Sequence, residues 1–203
     1  MKPGAGGLGT DWNHAGDLQA VINFSSLGDQ VWVASGLYTP GTDRTASFVM
    51  KDGVAIYGGF VGTEAILSAR VLTNPSSSTL SGEIGDPTST TDNSTHVISN
   101  GPGLTNSAIL DGFVITGGHA SVSNNNAGGM FNNGNGGVCS PTVRNCVFSN
   151  NYARFVGGAI WNYAFSGGTS SPVLINCLFL TNSAFNSGGR FTTKEITESV
   201  APR

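Results

Sequence analysis

Apolar residues along this chain come in short runs, three to seven residues long, that close on Gly, Asn, Asp or Ser. Val31-Trp32-Val33, Ser47-Phe48-Val49-Met50, Gly53 to Gly59, Thr79-Leu80-Ser81, His96-Val97-Ile98, Ile109 to Ile115, Thr142-Val143-Arg144 and Val173-Leu174-Ile175 each read as a strand. Helical spacing stands out ahead of the first strand, where Leu18, Val21 and Ile22 share a face. Asp17 sits where a carboxylate suits the helix dipole, and Gly28-Asp29 stops the run. This predicts a short amphipathic helix over about 14–27, placed to cover one end of whatever the strands build. No long helical pattern separates the strands, so the crossover helices of a doubly wound sheet are missing.

The strands also repeat. At an offset of 31, Asn145, Cys146, Phe148, Asn151, Ala153, Gly157 and Gly158 fall on Asn176, Cys177, Phe179, Asn182, Ala184, Gly188 and Gly189. Ser140-Pro141 falls on Ser171-Pro172 in the same alignment. A fixed period in this range marks stacked units. Short strands without crossover helices satisfy their backbones by coiling into successive rungs, each bonded to the rung above and below. The expected architecture is therefore an all-β parallel solenoid with a helical N-terminal cap. The region from Thr63 to Asn93 is the least regular and reads as one rung with long projecting loops, where binding sites commonly lie.

Alternation within a rung assigns sides. In TVRNCVFSNN, Val143, Cys146 and Phe148 point inward, while Arg144, Val147 and Ser149 point outward. Leu174, Cys177 and Phe179 are the inward equivalents one rung on. Asn145 and Asn151 take corners, where Asn tolerates the left-handed conformation and can bond to the Asn of the next rung. The same assignment puts Val147, Ile175, Leu178 and Leu180 outward as an apolar stripe. Its expected covers are the Lys194–Arg203 tail, further rungs of a parent protein, or a second copy in a homodimer.

Composition agrees with strands and turns. Only 10% of the 203 residues are charged, Gly numbers 30, and 13 of the 19 Asn lie between Asn124 and Asn186. Gly and Asn are poor helix formers, and 38% hydrophobic content with a net charge of −3 argues against disorder. That charge gives no footprint for nucleic acid. No apolar run suffices for a membrane span, and no signal peptide opens the chain. Cys139, Cys146 and Cys177 have neither CxxC nor zinc spacing; Cys146 and Cys177 are expected as buried stacked thiols.

Several stretches together resemble a known family. FSNN at Phe148 and FLTN at Phe179 fit an FxxN motif, and GGAI at Gly157 fits its partner, as in the polymorphic outer-membrane-protein repeat of bacterial surface adhesins. IYGGFVGTEAILSAR, LSGEI, HVISN, LDGFVITGGHA and GGMFN are similar to large secreted right-handed parallel β-helix proteins of environmental bacteria. The likeness covers roughly residues 9 to 189. It implies a right-handed parallel β-helix with a pectin-lyase-like fold, from a secreted or cell-surface protein of adhesive or unknown role. Pectate-lyase-like enzymes share the architecture, so the fold alone does not choose a function.

Candidate chemistry is sparse. GAGGLG at Gly4 matches a dinucleotide fingerprint in form but has no strand before it. A polysaccharide lyase needs clustered carboxylates for Ca²⁺ and a nearby Arg or Lys as base. The acids are Glu83, Asp86, Asp92 and Asp111, with Arg144 facing outward. Asp111 is expected to align with Asn145 and Asn176 as a corner residue, and the other three to be solvated loop charges. No two acids are expected at equivalent outward positions on neighbouring rungs. His14, His96 and His119 are scattered, and Asn93-Ser94-Thr95 is a glycosylation sequon by pattern alone. Trp161 and Tyr163, with Phe165 beyond them, suggest an aromatic shelf for sugar rings. No catalytic, cofactor-binding or metal-binding residue is assigned, and Ca²⁺ enters only with the lyase alternative.

The expected organisation is a single β-helix domain over 1–189 and a non-repeat polar tail over 190–203. That tail is either an authentic end cover or a truncation running into unrelated sequence, the latter favoured. The expected function is a non-catalytic secreted or cell-surface scaffold, adhesive or glycan-binding, whose partner is a glycan or a host or cell-surface ligand. The alternative is a polysaccharide lyase or glycoside hydrolase acting on an acidic or plant or algal polysaccharide.

Overall fold

A computed structural model describes residues 1–2, 6–7, 9–72, 76–121 and 126–185. Parts of the GAGGLG stretch, Gly188 and Gly189, and the whole 190–203 tail lie outside the described residues.

The helix forms where its cap dictates. Asp17 is the N-cap, and its Oδ1 accepts from Ala20 N at 2.9 Å, satisfying a donor that the first turn would leave orphaned. Helix α1 spans Leu18–Phe24 and buries Leu18 and Ile22. Both join the core beside Val31 and Ile56, so α1 covers one end of the interior. Among the described residues no helix is long and apolar enough to cross a membrane.

The strands build a parallel β-solenoid. The first sheet stacks β1 (Gln30–Ala34), β3 (Ala55–Phe60), β6 (Ile109–Asp111), β10 (Thr142–Arg144) and β14 (Val173–Ile175) in that order. The second stacks β2 (Gly36–Tyr38), β4 (Ser78–Ser81), β7 (Val114–Thr116), β11 (Val147–Ser149) and β15 (Leu178–Leu180). A third holds β8 (His119–Ala120), β12 (Tyr152–Ala153) and β16 (Ser183–Ala184); a fourth holds β5 (Ile98–Asn100), β9 (Met130–Asn133) and β13 (Ile160–Tyr163). Every strand pair is parallel. The run from Ile109 to Ile115 is two strands, broken at Gly112, and Ser47 to Met50 contributes a single bridge from Phe48 to Ile98.

Register follows the repeat. Val31, Ile56, Leu110, Val143 and Leu174 form one inward column, and Leu80, Ile115, Phe148 and Phe179 another. Val143, Cys146 and Phe148 are buried as expected. All three cysteines are free thiols. Burial pushes the Cys139 thiol up to about 11 and raises Cys146 and Cys177 as well, so none is a ready nucleophile.

Corners use the left-handed region. Gly112, Asn145 and Asn176, each following the last residue of its strand in the first sheet, have φ of 83°, 53° and 51°. Asp111 is therefore not the corner residue: it pairs in register with Arg144, one position earlier. The corner role passes to Gly112, where the missing Cβ removes the steric cost that Asn meets by local bonding. Asn ladders run along the axis. Asn176 Nδ2 donates to Asn145 Oδ1 at 2.8 Å, and Asn145 Nδ2 to Asp111 Oδ1 at 2.9 Å. Asn151 donates to Asn182, and a further ladder links Asn100, Asn132 and Asn162.

Candidate functional site

The outward positions of the first sheet line up as Trp32, Tyr57, Asp111, Arg144 and Ile175, one per rung. Strand alternation sends their neighbours Val31, Ile56, Leu110 and Val143 into the core and points this column outward, where Tyr57 and Asp111 are nonetheless buried, 6% and 1% exposed, beneath covering side chains. The loop after β3 adds Arg70, at the end of a short 3-10 turn over Leu67–Ala69.

Asp111 is 1% exposed and its acceptors are used. Oδ2 accepts from Arg70 Nη2 and from Arg144 Nε, each at 2.7 Å, and Oδ1 accepts from Asn145 Nδ2. Arg70 also donates from Nη1 to the carbonyls of Gly58 and Asp111 at 3.2 and 3.3 Å. Both guanidinium groups lie over the Tyr57 ring, at 4.9 Å for Arg70 and 5.9 Å for Arg144. Two cations against one carboxylate leave this patch with a positive excess. Arg144 is 35% exposed at its side chain and bonds only through Nε among the described residues, so its outer nitrogens face a ligand's approach.

Beyond Tyr57 the column runs into an aromatic pocket. Trp32 stacks on Phe60 at 4.8 Å and 10°, and Trp12 tilts against the same ring at 5.5 Å. The two tryptophan rings lie 6.4 Å apart, and a cavity of about 270 Å³ beside them is edged by Thr10, Asp11, Gln30 and Glu64. Trp12 Nε1 donates to Glu64 O at 2.8 Å and Trp32 Nε1 to Gln30 Oε1 at 3.0 Å, which fixes both rings. Glu64 is itself bound by the main chain: Val61, Gly62 and Thr63 N–H groups donate to its carboxylate and hold it below the ordinary carboxylate range, against the opposing effect of burial. Apolar walls with a few fixed polar groups are the usual make-up of a small-ligand pocket.

The other predicted sites fare differently. Asp111 and Arg144 meet, but as an ion pair in which the carboxylate is saturated by donors. Glu83, Asp86 and Asp92 belong to the loop after β4 of the second sheet. Asp86 is exposed and caps Thr88, whereas Glu83 Oε1 and Asp92 Oδ1 are buried, contrary to the expectation of solvated charges. Among the described residues no three His, Cys, Asp or Glu side chains converge on one point. Asn93 of the sequon is 2% exposed and donates to Gly117 O, so as folded it cannot accept a glycan.

Trp161 gives a face to Phe131, at 5.0 Å and 13°, and Tyr163 tilts against Trp161 at 5.0 Å. In-register stacking turns aromatic faces toward each other along the axis, so this shelf shows solvent mainly its ring edges. Val147 leaves the apolar stripe: it is only 5% exposed, because Val114 and Leu178 flank it in register. Ile175 and Leu180 are exposed and Leu178 is half-buried. Leu174, on the inward column, is 43% exposed against 48% for Ile175, so exposure here reflects the last described rung rather than a separate outward patch.

Sequence reasoning missed the Trp12–Trp32 pocket and Arg70. Trp32 was legible as the outward residue of Val31-Trp32-Val33; Trp12 and Arg70 reach the face from loops with no periodicity. No family model, curated protein or solved structure matches the chain.

Proposed function

We propose that this chain is a non-catalytic scaffold from a secreted or cell-surface protein and binds a glycan along the outer face of the first sheet. The observation that carries this reading is the pocket beside Trp12 and Trp32, on the same outward column as the half-exposed Arg144, with Tyr57 buried beneath Arg70 and Arg144 in between. Aromatic rings offer apolar faces to the C–H surface of a sugar, and a guanidinium offers paired donors to hydroxyls or a carboxylate. The positive excess at Arg70 and Arg144 favours an acidic sugar. The FxxN and GGAI motifs agree with an adhesin-type repeat. A lyase would need free carboxylates for Ca²⁺ beside Arg144, and the column's carboxylate, Asp111, is occupied by its three donors.

Titration of tryptophan fluorescence with neutral and uronic-acid oligosaccharides tests the proposal. Saturable quenching without product release is expected, and Trp32→Ala should abolish it. Cleavage that yields unsaturated sugar, or a flat response across both classes, would reject it.

A further inference from the structure

The loop that leaves the second sheet after β4 closes on itself, with Ser94 N donating to Gly82 O at 2.8 Å. Within it, Glu83 Oε1, Asp92 Oδ1, Asn93 Oδ1 and Ser94 Oγ are shut off from solvent and meet no hydrogen-bond partner. The first three are acceptors only at neutral pH. Asn93 is 2% exposed and Ser94 0%, while Glu83 and Asp92 are half-buried residues that turn these two oxygens inward. Their surroundings hold them in place. Asn93 Nδ2 donates to Gly117 O at 2.9 Å, and Glu83 N lies 3.5 Å from where a Cβ on Gly117 would stand, so both residues abut one point of the next rung. Asp92 spends Oδ2 on Asp86 N at 2.6 Å, which leaves Oδ1 as the orphan. Arg44 braces the loop through Asn93 O and His119 O, and it makes no ion pair with either carboxylate.

Shielded acceptor oxygens with no donor are rare, and here three belong to neighbours in one closed loop. We infer that this loop holds a Ca²⁺ ion, bound by Glu83 Oε1, Asp92 Oδ1 and Asn93 Oδ1. All three ligands are hard oxygens, with no nitrogen or sulfur to draw a transition metal. Two carboxylates balance a divalent charge. Ca²⁺ takes about six to eight oxygens in flexible geometry, so loop carbonyls and water complete the shell, whereas Mg²⁺ demands near-octahedral order. The ion ties the loop to Gly117 of the following rung and is separate from the face that carries Trp32 and Arg144. With two carboxylates rather than three or more, its affinity belongs with extracellular modules, at a Kd of about 10⁻⁴–10⁻³ M.

The test uses the full chain stripped with a chelator and then dialysed. Calorimetric titration with CaCl₂ should show one ion per chain. The thermal midpoint should rise by ~3–6 °C at roughly tenfold excess over Kd, with a smaller rise for MgCl₂. Glu83→Gln and Asp92→Asn should each weaken the Ca²⁺ response at least about tenfold, and the double variant should lose it while keeping its far-ultraviolet spectrum. The wild-type isotherm stands whether or not the variants fold. No Ca²⁺ uptake by wild type at about 10 mM, tenfold above the expected range, overturns the assignment, as does a folded double variant with the full response.

Discussion

Arg144 stands in register with Asp111 on the neighbouring strand and donates from Nε to its Oδ2 at 2.7 Å. The relationship is asymmetric. Asp111 is 1% exposed and serves Arg70 and Asn145 as well, whereas Arg144 is partly solvated.

Removing the carboxylate therefore costs more than removing either cation. Asp111→Ala should lower unfolding free energy by about 3 kcal/mol, since Arg70 is left desolvated without a counter-charge. Arg144→Ala should cost about 1 kcal/mol, because Asp111 keeps Arg70 and the solvated pair contributes little. Urea denaturation of the two variants measures the difference; equal losses would contradict this ranking.

Phe148 is 0% exposed, stacks on Phe179 at 5.3 Å and 13°, and has Ile115 in register on its other side. Phe148→Ala should cost about 3–5 kcal/mol, as for other fully buried Phe truncations. Phe179 is only half-buried, so Phe179→Ala should cost distinctly less. A Phe148→Ala loss below about 1 kcal/mol would mean the ring lies outside the core.

The fold was legible where rungs repeat without insertion. From Val143 to Leu174 the period is 31 and the identities are visible; from Leu110 to Val143 it is 33, and from Ile56 to Leu110 it is 54. Insertions in the loops hide the older registers although the inward column continues through them. Asp111 was set one position out because Asp resembles Asn chemically, while the corner needs a backbone conformation that Gly112 supplies equally well. The binding face was legible only in part. Alternation exposes Trp32 and Arg144, but Trp12 and Arg70 arrive by loop closure, which leaves no period in the sequence. Glu83 and Asp92 carry no local sign of their shielded oxygens either, since Glu83 backs onto Gly117 of the next rung and Asp92 folds back on Asp86 N.

Gly117, Asn150 and Thr181 occupy the second corner, with φ of 75°, 53° and 52°. Thr is β-branched and poorly suited to this region. Its Oγ1 reaches Asn150 Oδ1 at 2.5 Å, a bond that an Asn side-chain amide can replace. Thr181→Asn should therefore stabilise the protein by about 0.5–1 kcal/mol, and Thr181→Val should destabilise it. Thermal denaturation of both variants decides, and a lower midpoint for Thr181→Asn would count against strain at this corner.

Two histidines should set a pH dependence near neutrality. His96 donates from Nδ1 to Ala127 O at 2.5 Å, and burial lowers its pKa despite that bond. His119 stacks on Tyr152 at 4.7 Å; burial lowers its pKa, and the charge of Arg44 adds to the effect. Both folded values lie below the ordinary value of 6.5, so on acidification the unfolded chain takes up these protons first. Stability is then greatest above about pH 7, falls as pH drops through about 6.5, and stops falling on this account below the folded values. Asp43 and Asp86, held low by bonds from Thr45 and Thr88, are shifted in the same direction and also cost stability on acidification, but only below about pH 4, so the two windows separate. Urea midpoints at about pH 7.5 and 5.5 measure the effect. Burial, with the neighbouring Lys2 charge, lowers the Met1 amine to about 5 and adds a drop of the same sign. The combined His96→Gln and His119→Gln variant should therefore reduce the drop without abolishing it, and a drop of unchanged size in that variant would assign the dependence to the amine and other groups.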